Sequence, residues 1–288
     1  MNRPPPKRRP LPRAAKKLPL SGSEETYTNA VYGSPKGKRN NNCYAWAIGH
    51  YRNGGGVKLQ PGNLARLTGN MSLTSCKDLK KRALADAKAP GQKSMYVVKA
   101  ASPCKQGYYK VMAFLAKNTD YHWYRQHKDV MYHVRAGNSL TSIANKMGVP
   151  PRKLTTQRGG KNLSPDNVVH VKNADVWSHK QGFATGPLLE DACGKVIADP
   201  RKACRDYGPY NYKTFCGAYC VQAKHPDMQG RWANRATSKT NNKANGGNNK
   251  ANGKANNKAN GGNNKANGGN NKANGGNNKA NNKAKARK

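Results

Sequence analysis

The stretch YHVRAGNSLTSIANKMGV (residues 132–149) decides the first part of the fold. The alternation of Tyr132 and Val134 predicts a short strand. After a glycine turn, apolar residues recur at the i, i+3, i+4, i+7 spacing of one helix face: Leu140, Ile143, Ala144 and Met147. Ser139 is placed to cap the start of this helix, and Gly148 is placed to end it.

The residues that follow predict the rest of a small module. A second short helix is expected over residues 151–156, where a proline suits the first turn. Residues 168–171 then predict a closing strand. The order strand, helix, helix, strand takes up about forty residues, a size at which a hydrophobic core is only just sufficient.

The segment 131–173 resembles a LysM domain, a module that binds N-acetylglucosamine-containing polymers such as peptidoglycan and chitin. The resemblance rests on Tyr132, Val134, Gly137, Ser139, Leu140, Ile143, Ala144, Gly148, Val149, Leu154, Asn162, Leu163, Pro165 and Val171. The chain departs from the family at Asn138, at Met147 and over residues 157–160. The resemblance implies that the segment folds alone and holds a glycan with Gly137, Asn138, Ser139, Leu140, Thr141, Asn162, Leu163 and Pro165. The alternative is an ordinary small helix pair without a sugar ligand.

The charge of the chain is large and unevenly distributed. Its 288 residues carry a formal net charge of +40, with 7 basic and no acidic residues among the first twenty. From Arg231 to the end there are 14 basic residues and no acidic one. Such a chain is expected to bind polyanions in a salt-dependent way. Nucleic acid, an acidic polysaccharide and an acidic protein surface all remain open as partners.

Low-complexity segments flank the predicted folded part. Residues 1–24 are rich in Pro, Lys and Arg and are expected to form a disordered or extended arm, either solvated, polyanion-binding or a nuclear signal. Residues 235–288 repeat Asn-Asn-Lys-Ala-Asn-Gly-Gly with a period of seven, but they lack the apolar pair of a coiled coil. The host domain is therefore assigned to residues 25–130 and 174–234, on either side of the module.

The seven cysteines are expected to be scattered buried thiols plus one special cysteine, because their number is odd and no Cys-x-x-Cys pair occurs. Cys216 and Cys220 lie four residues apart, which suits neighbours on a helix. This pattern favours a reducing compartment, or packaging from one. No apolar run approaches a membrane span, and no signal peptide is recognised in the basic start. No cofactor and no metal site are predicted.

Two aromatic-rich segments flank the module and both predict strands. They are residues 120–126 and 176–181, and joined directly they would form a β-hairpin. The simplest architecture is a module inserted at the tip of that hairpin, where insertions are best tolerated.

A second informative stretch, NNCYAWAIG (residues 41–49), predicts a helix that begins at Cys43. The helix macrodipole there favours a thiolate and lowers the pKa of a cysteine. His122 is a candidate base, and His179 on the neighbouring strand could orient it through the other ring nitrogen. Asp120 and Asp191 compete with His179 for that role. The alternative is a buried structural thiol with packed histidines.

An oxyanion site is also expected beside the cysteine. Its candidate donors are the side chain of Asn41 or Asn42 and the backbone N–H of Cys43 or Tyr44. The remaining histidines are interpreted as surface or packing residues.

The host domain resembles papain-like cysteine hydrolases of the NlpC and CHAP types, and more narrowly a domain of large DNA viruses and phages. The residues that carry the resemblance are 42–45, 60–62, 107–111, 120–125, 177–180, Gly182, 199–200, 215–217 and 220–221. It implies an α+β fold, a papain-like domain with an inserted βααβ module, located in a virion or an infected host cell.

Two main functions remain open from the sequence. One is a wall-directed hydrolase that binds a glucosamine polymer and cuts an amide or peptide bond with Cys43. The other is a non-enzymatic virion or wall-binding protein. A genome-packaging protein driven by the basic tails is a weaker third interpretation.

Overall fold

The computed structural model describes residues 17–55, 57–156, 163–165 and 167–223. This part of the chain is a mixed α/β structure, with many strands and a few short helices. The helices are α1 (Pro35–Asn40), α2 (Cys43–Ala47), α3 (Cys76–Asp86) and α4 (Leu140–Met147), with a 3-10 turn at Pro151–Lys153. The strands are β1 (Met95–Val98), β2 (Tyr108–Ala116), β3 (Asp120–His127), β4 (Val130–His133), β5 (Leu154–Thr156), β6 (Val168–Val171), β7 (Val176–Lys180), β8 (Pro187–Leu188) and β9 (Thr214–Gln222).

The strands form two antiparallel sheets. The larger sheet has six strands in the order β1-β9-β2-β3-β7-β8, and the smaller has three in the order β4-β6-β5. The large sheet is covered on both faces, because alternate residues of β2 enter different cores. Val111 and Leu115 pack with α2 and α3, whereas Met112 and Phe114 pack with Trp177 on the other face.

Strands β3 and β7 confirm the two strands predicted on either side of the module. They pair antiparallel, with Tyr124 opposite His179 and His127 opposite Val176. The chain therefore leaves the large sheet after β3, builds the small sheet, and returns to the large sheet in β7.

Helix α4 matches its prediction at both ends. The Ser139 hydroxyl accepts the N–H of Ser142 at 3.0 Å, and the Ser142 hydroxyl accepts the N–H of Ser139 at 2.9 Å. This reciprocal capping box satisfies two donors at the helix start. Gly148 ends the helix in the left-handed region, at φ 63°, which a residue without Cβ adopts at little cost.

The second predicted helix of the module is wrong over the second half of its length. Only the 3-10 turn Pro151–Lys153 is helical, and Leu154–Thr156 forms strand β5. Leu154 pairs with Val171 and Thr156 with Val169 of β6. Two β-branched threonines beside an unpaired strand edge favour pairing over a last helical turn.

The module shares its hydrophobic core with the large-sheet part of the chain. Tyr132, Ile143 and Met147 lie in one buried cluster with Tyr27 and Trp46. An isolated module would expose this shared surface to water. The structure thus argues against the expectation that the segment folds alone.

The folded part begins earlier than predicted. Leu18 is buried, its carbonyl accepts Nε2 of Gln126 at 3.1 Å, and the carbonyl of Pro19 accepts Nζ of Lys110 at 3.3 Å. The predicted disorder of residues 1–24 is therefore wrong for residues 17–24, where the carbonyls of Leu18 and Pro19 satisfy buried donors. The rest of the arm and the tail at 235–288 lie outside the described residues.

Six of the seven cysteines are paired, contrary to the prediction of scattered thiols. The disulfides are Cys76–Cys216, Cys104–Cys220 and Cys193–Cys204. Cys43 alone is a free thiol, and it is buried. Cys216 and Cys220 lie on strand β9 and not on a helix. Disulfides persist in oxidising surroundings, so the pairing argues against a reducing compartment.

Among the helices that the structure describes, none has the length and apolar character needed to cross a membrane.

Candidate active site

A cavity of about 370 Å³ opens beside the first residue of α2. Its lining combines the predicted cysteine and the predicted base with amide, charged and aromatic side chains. The lining residues are Asn42, Cys43, Lys58, Gln60, Asp120, Tyr121, His122, Gln181, Gly182, Phe183, Ala184, Tyr207, Tyr210 and Tyr212.

Cys43 begins helix α2, as predicted. Asn42 caps the helix, since its Oδ1 accepts the backbone N–H of Ala45 at 3.0 Å. The thiol of Cys43 is only 5 % exposed, and its Sγ lies 3.8 Å from the carbonyl oxygen of Tyr121. Tyr121 directly precedes His122 on β3, so the thiol lies against the strand that carries the candidate base.

The electrostatic surroundings of Cys43 contradict the predicted low-pKa thiolate. Burial, and to a lesser extent the negative charge of Asp120, raise the pKa of the Cys43 thiol to about 12. Backbone N–H groups of Trp123 and Tyr44 and the charge of Lys180 act in the opposite direction but are weaker. Desolvation thus outweighs the field of a helix only five residues long.

His122 and His179 are brought into direct contact. Nε2 of His122 lies 2.8 Å from Nδ1 of His179, and both rings are buried. The other nitrogen of His179, Nε2, lies 2.9 Å from the backbone carbonyl oxygen of Glu190. Among the described residues, Nδ1 of His122 has no hydrogen-bond partner.

The chain of contacts fixes the protonation of both rings when they are neutral. The Glu190 carbonyl can only accept, so Nε2 of His179 carries the hydrogen. Nδ1 of His179 is then an acceptor, and Nε2 of His122 must donate to it. The remaining lone pair of His122 is on Nδ1, which makes that nitrogen the available base.

Both histidines are held in the neutral form. Burial, together with the neighbouring His179, lowers the pKa of His122 well below its usual value. Burial also lowers the pKa of His179 to about 4, against the raising influence of the Glu190 carbonyl. At neutral pH the site therefore contains a neutral thiol and two neutral imidazoles.

Asp120 and Asp191, the two alternatives to His179 for orienting His122, form hydrogen bonds with other groups. Asp120 accepts the Tyr212 hydroxyl at 2.9 Å and the backbone N–H of Tyr121 at 2.8 Å. Asp191 accepts the backbone N–H groups of Cys193, Lys195 and Cys204. Of the three alternatives, His179 is the residue that contacts His122.

The predicted oxyanion donors are mostly occupied. Nδ2 of Asn42 donates to the carbonyl of Leu59 at 2.8 Å and to the Tyr121 hydroxyl at 3.2 Å. The Asn41 amide likewise donates to Gly37 and Arg52. Contrary to the prediction, neither side chain has a free N–H. The side chain of Tyr44 points away from the cavity, to Asp86, so only its backbone N–H remains a candidate beside Cys43.

Aromatic residues around the histidines were missed in the sequence. The ring of Tyr212 lies 4.8 Å from that of His122 at an interplanar angle of 30°, and the Tyr207 hydroxyl lies 3.3 Å from Nε2 of His179. Lys58 lies over the ring of Phe183, 5.2 Å from its centroid. The cluster of tyrosines at 207–212 was the available signal, but nothing in the sequence linked it to β3.

The residues predicted to bind glycan lie at one end of the small sheet. The N–H of Val134 donates to the carbonyl of Asn167 at 3.0 Å just beyond the β4–β6 pairing, so the turn after β4 and residues 163–165 adjoin that end. Gly137, Ser139, Thr141 and Pro165 are exposed, Asn138, Leu140 and Leu163 are half-buried, and Asn162 lies outside the described residues.

Two of these polar side chains are already used by the fold. Oδ1 of Asn138 accepts the backbone N–H of Arg135 at 2.9 Å and the Tyr132 hydroxyl at 3.2 Å. Ser139 forms the helix cap. Contacts to a sugar would therefore come from backbone groups of the turn and from the exposed hydroxyl of Thr141.

No protein-family model, curated protein or solved structure matches the chain. Within the described residues, no group of three or more His, Cys, Asp or Glu side chains is arranged to hold a metal ion.

Proposed function

We propose that the chain is a cysteine hydrolase of amide or peptide bonds that carries a LysM-like module for N-acetylglucosamine-containing polymers. The observation that supports it most is the combination of Cys43 and His122 on one cavity with His179 behind the base. A nucleophile, a base and a residue that orients the base are the parts that such chemistry requires.

In the proposed reaction, the Cys43 sulfur attacks the carbonyl carbon of the substrate while Nδ1 of His122 takes the thiol proton. The imidazolium then gives this proton to the leaving amine, and a C–N bond breaks. Water, activated by His122, hydrolyses the resulting thioester and restores the thiol. Because thiol and imidazole are both neutral at rest, proton transfer accompanies the attack and no thiolate is stored beforehand.

The role of His179 follows from the hydrogen bond that it accepts. When His122 becomes an imidazolium, its Nε2 still donates to the lone pair on Nδ1 of His179. A charge-assisted hydrogen bond is stronger than a neutral one, so this contact stabilises the cation that forms during attack.

The proposed substrate is inferred from the presence of the LysM-like module. A papain-like host domain with a LysM-like module would act at a glucosamine-containing wall, in a protein of a virion or an infected cell. A module joined through two adjacent strands would hold the cavity near the polymer and raise the local substrate concentration.

The test is incubation of the full chain with peptidoglycan, chitin and chitosan, scoring both pull-down and released amino groups. The matched controls are Cys43→Ala and His122→Ala, which leave the module untouched. We expect the wild type to bind and to release amino groups, and both variants to bind without release. Release by Cys43→Ala equal to that by the wild type would remove the hydrolase proposal.

A non-enzymatic wall-binding protein is the second candidate. The observation in its favour is the burial of Cys43 together with its raised pKa, which is typical of a structural thiol. This candidate predicts that a glucosamine polymer pulls down the wild type, Cys43→Ala and His122→Ala, and that none of these proteins releases amino groups.

A further inference from the structure

Glu190 joins the histidine pair to helix α4 through two different groups. Its backbone carbonyl oxygen lies 2.9 Å from Nε2 of His179. Its carboxylate forms an ion pair with Nζ of Lys146 on helix α4, at 2.6 Å. Lys146 and Glu190 are 32 % and 19 % exposed at the side chain, so the pair is only partly screened by water.

The nitrogen that Glu190 contacts has a second neighbour. The Tyr207 hydroxyl lies 3.3 Å from the same Nε2 of His179. A hydroxyl can donate as well as accept, whereas a carbonyl can only accept. The two neighbours therefore favour different states of the ring, and the closer carbonyl favours a hydrogen on Nε2.

A change of hydrogen-bond partner at Nε2 of His179 would change the tautomer of both His179 and His122. If Tyr207 donated to Nε2 of His179, the hydrogen of His179 would move to Nδ1 and point at His122. Nε2 of His122 would then accept, and its hydrogen would sit on Nδ1. In that state Nδ1 of His122 has no lone pair, so under the proposed function His122 cannot take the thiol proton of Cys43.

We propose that Glu190 is a positioning residue whose carbonyl selects the tautomer of His179 and His122, and whose carboxylate ties that selection to Lys146 of the LysM-like module. The consequence for catalysis rests on the proposed function, whereas the selection of the tautomers does not depend on it. The backbone of Glu190 is held on one side by its bridge to Val196, and the ion pair holds its side chain.

Nitrogen-15 NMR of the full chain tests the inference directly, because protonated and unprotonated ring nitrogens have different shifts. The signals are assigned with His122→Ala and His179→Ala. In the wild type we expect one tautomer, with hydrogen on Nε2 of both rings. In Lys146→Met and Glu190→Gln we expect the other tautomer to exceed roughly 10 % of the population.

Two further variants make the test specific. Lys172→Met removes an exposed cation from the same module and should leave the wild-type tautomer unchanged. Adding Tyr207→Phe to Lys146→Met removes the competing donor and should restore the single tautomer. A general loosening of the fold would not be repaired by this second change.

A kinetic measurement separates the inference from the proposed function. If amino groups are released from peptidoglycan, Lys146→Met should lower kcat by the same fraction as the measured population of the other tautomer, with KM unchanged, since that tautomer cannot take the thiol proton and only the chemical step is affected. If the tautomers shift but neither the wild type nor any variant hydrolyses the polymer, the positioning role of Glu190 is supported and the hydrolase proposal is contradicted. The wild-type tautomer in both Lys146→Met and Glu190→Gln would overturn the inference.

Discussion

Nε2 of His122 and Nδ1 of His179 lie 2.8 Å apart, although the residues are 57 positions apart in the sequence. The contact is diagonal across β3 and β7, because His179 pairs with Tyr124, two residues beyond His122. The two rings therefore meet only when these strands are in the correct register.

Alkylation of Cys43 should remain slow at neutral pH. Because burial raises the pKa of this thiol to about 12, the thiolate fraction should grow with pH throughout the accessible range. The rate with iodoacetamide, followed by mass spectrometry, should rise about tenfold per pH unit up to pH 10 or so. The other six cysteines are paired, so Cys43→Ala should take up no label. A rate that is already constant near pH 7 would show a stored thiolate and contradict this reading of the site.

A third buried histidine, His127, should make the fold sensitive to acid. Burial, and the nearby charge of Arg125, lower the pKa of His127 to about 3. The unfolded chain takes up a proton near pH 6.5, so the stabilisation is complete above that pH and is lost as pH falls toward 3.

His127→Gln should remove the one proton that His127 takes up when the chain unfolds below pH 6.5. Between pH 6 and 4, the slope of unfolding free energy against pH should decrease by about 1.4 kcal/mol per unit, measured by urea denaturation. His133→Gln changes an exposed histidine and serves as the control. An unchanged slope in His127→Gln would mean that this ring is protonated in the folded protein.

Asp86 should be one of the most sensitive polar positions of the fold. Its carboxylate is 1 % exposed and accepts the Tyr44 hydroxyl at 2.8 Å and the backbone N–H groups of Gly62 and Ala65. Asp86→Asn places an amide N–H against one of these donors and should cost about 3 kcal/mol. Tyr44→Phe removes a single hydrogen bond and should cost about 1.5 kcal/mol by the same denaturation assay. Equal losses in the two variants would show that the backbone donors matter little.

The disulfides should contribute to the free energy of unfolding in the order of the lengths of the loops that they close. Cys104–Cys220 joins residues 116 positions apart, whereas Cys193–Cys204 joins residues only 11 apart. On chain-entropy grounds, the double alanine variants should lose about 5 and about 3 kcal/mol respectively. Peptide mapping without reductant should first find the three pairs and one free thiol. Finding Cys43 in a disulfide would contradict both the pairing and the proposed nucleophile.

The tail at 235–288 should dominate binding to polyanions. It contains basic residues and no acidic one, and each neutralised phosphate releases a counterion. A chain shortened by these residues should bind duplex DNA more weakly and with a smaller dependence on salt, measured by fluorescence anisotropy. Retention of the full salt dependence would place the binding on the basic surface of the remaining chain.

The local features of the fold were predictable because they depend on short-range rules. Helix α4 follows from apolar spacing, a serine cap and a terminal glycine, and strands β3 and β7 follow from aromatic alternation. The strand at Leu154–Thr156 was missed, because its partner β6 lies beyond the reach of any local pattern.

The site was predictable in composition but not in its electrostatics. Helix position and strand alternation pointed to Cys43, His122 and His179. The raised pKa of Cys43 depends on how completely the folded chain excludes water, which no spacing of residues reveals. The roles of Glu190 and Tyr207 depend on loops whose course is set by the tertiary structure.

The position of the small sheet between β3 and β7 also has a consequence for how the protein reaches its native state. Bringing two distant strands together costs loop-closure entropy that grows with the length of chain between them. Once β4 and β6 have paired, the ends of β3 and β7 are neighbours, and the effective loop is only a few residues long. This shortening is worth about 2 kcal/mol in closure entropy. Pairing of β4 with β6 therefore lowers the entropic cost of bringing the two histidines together.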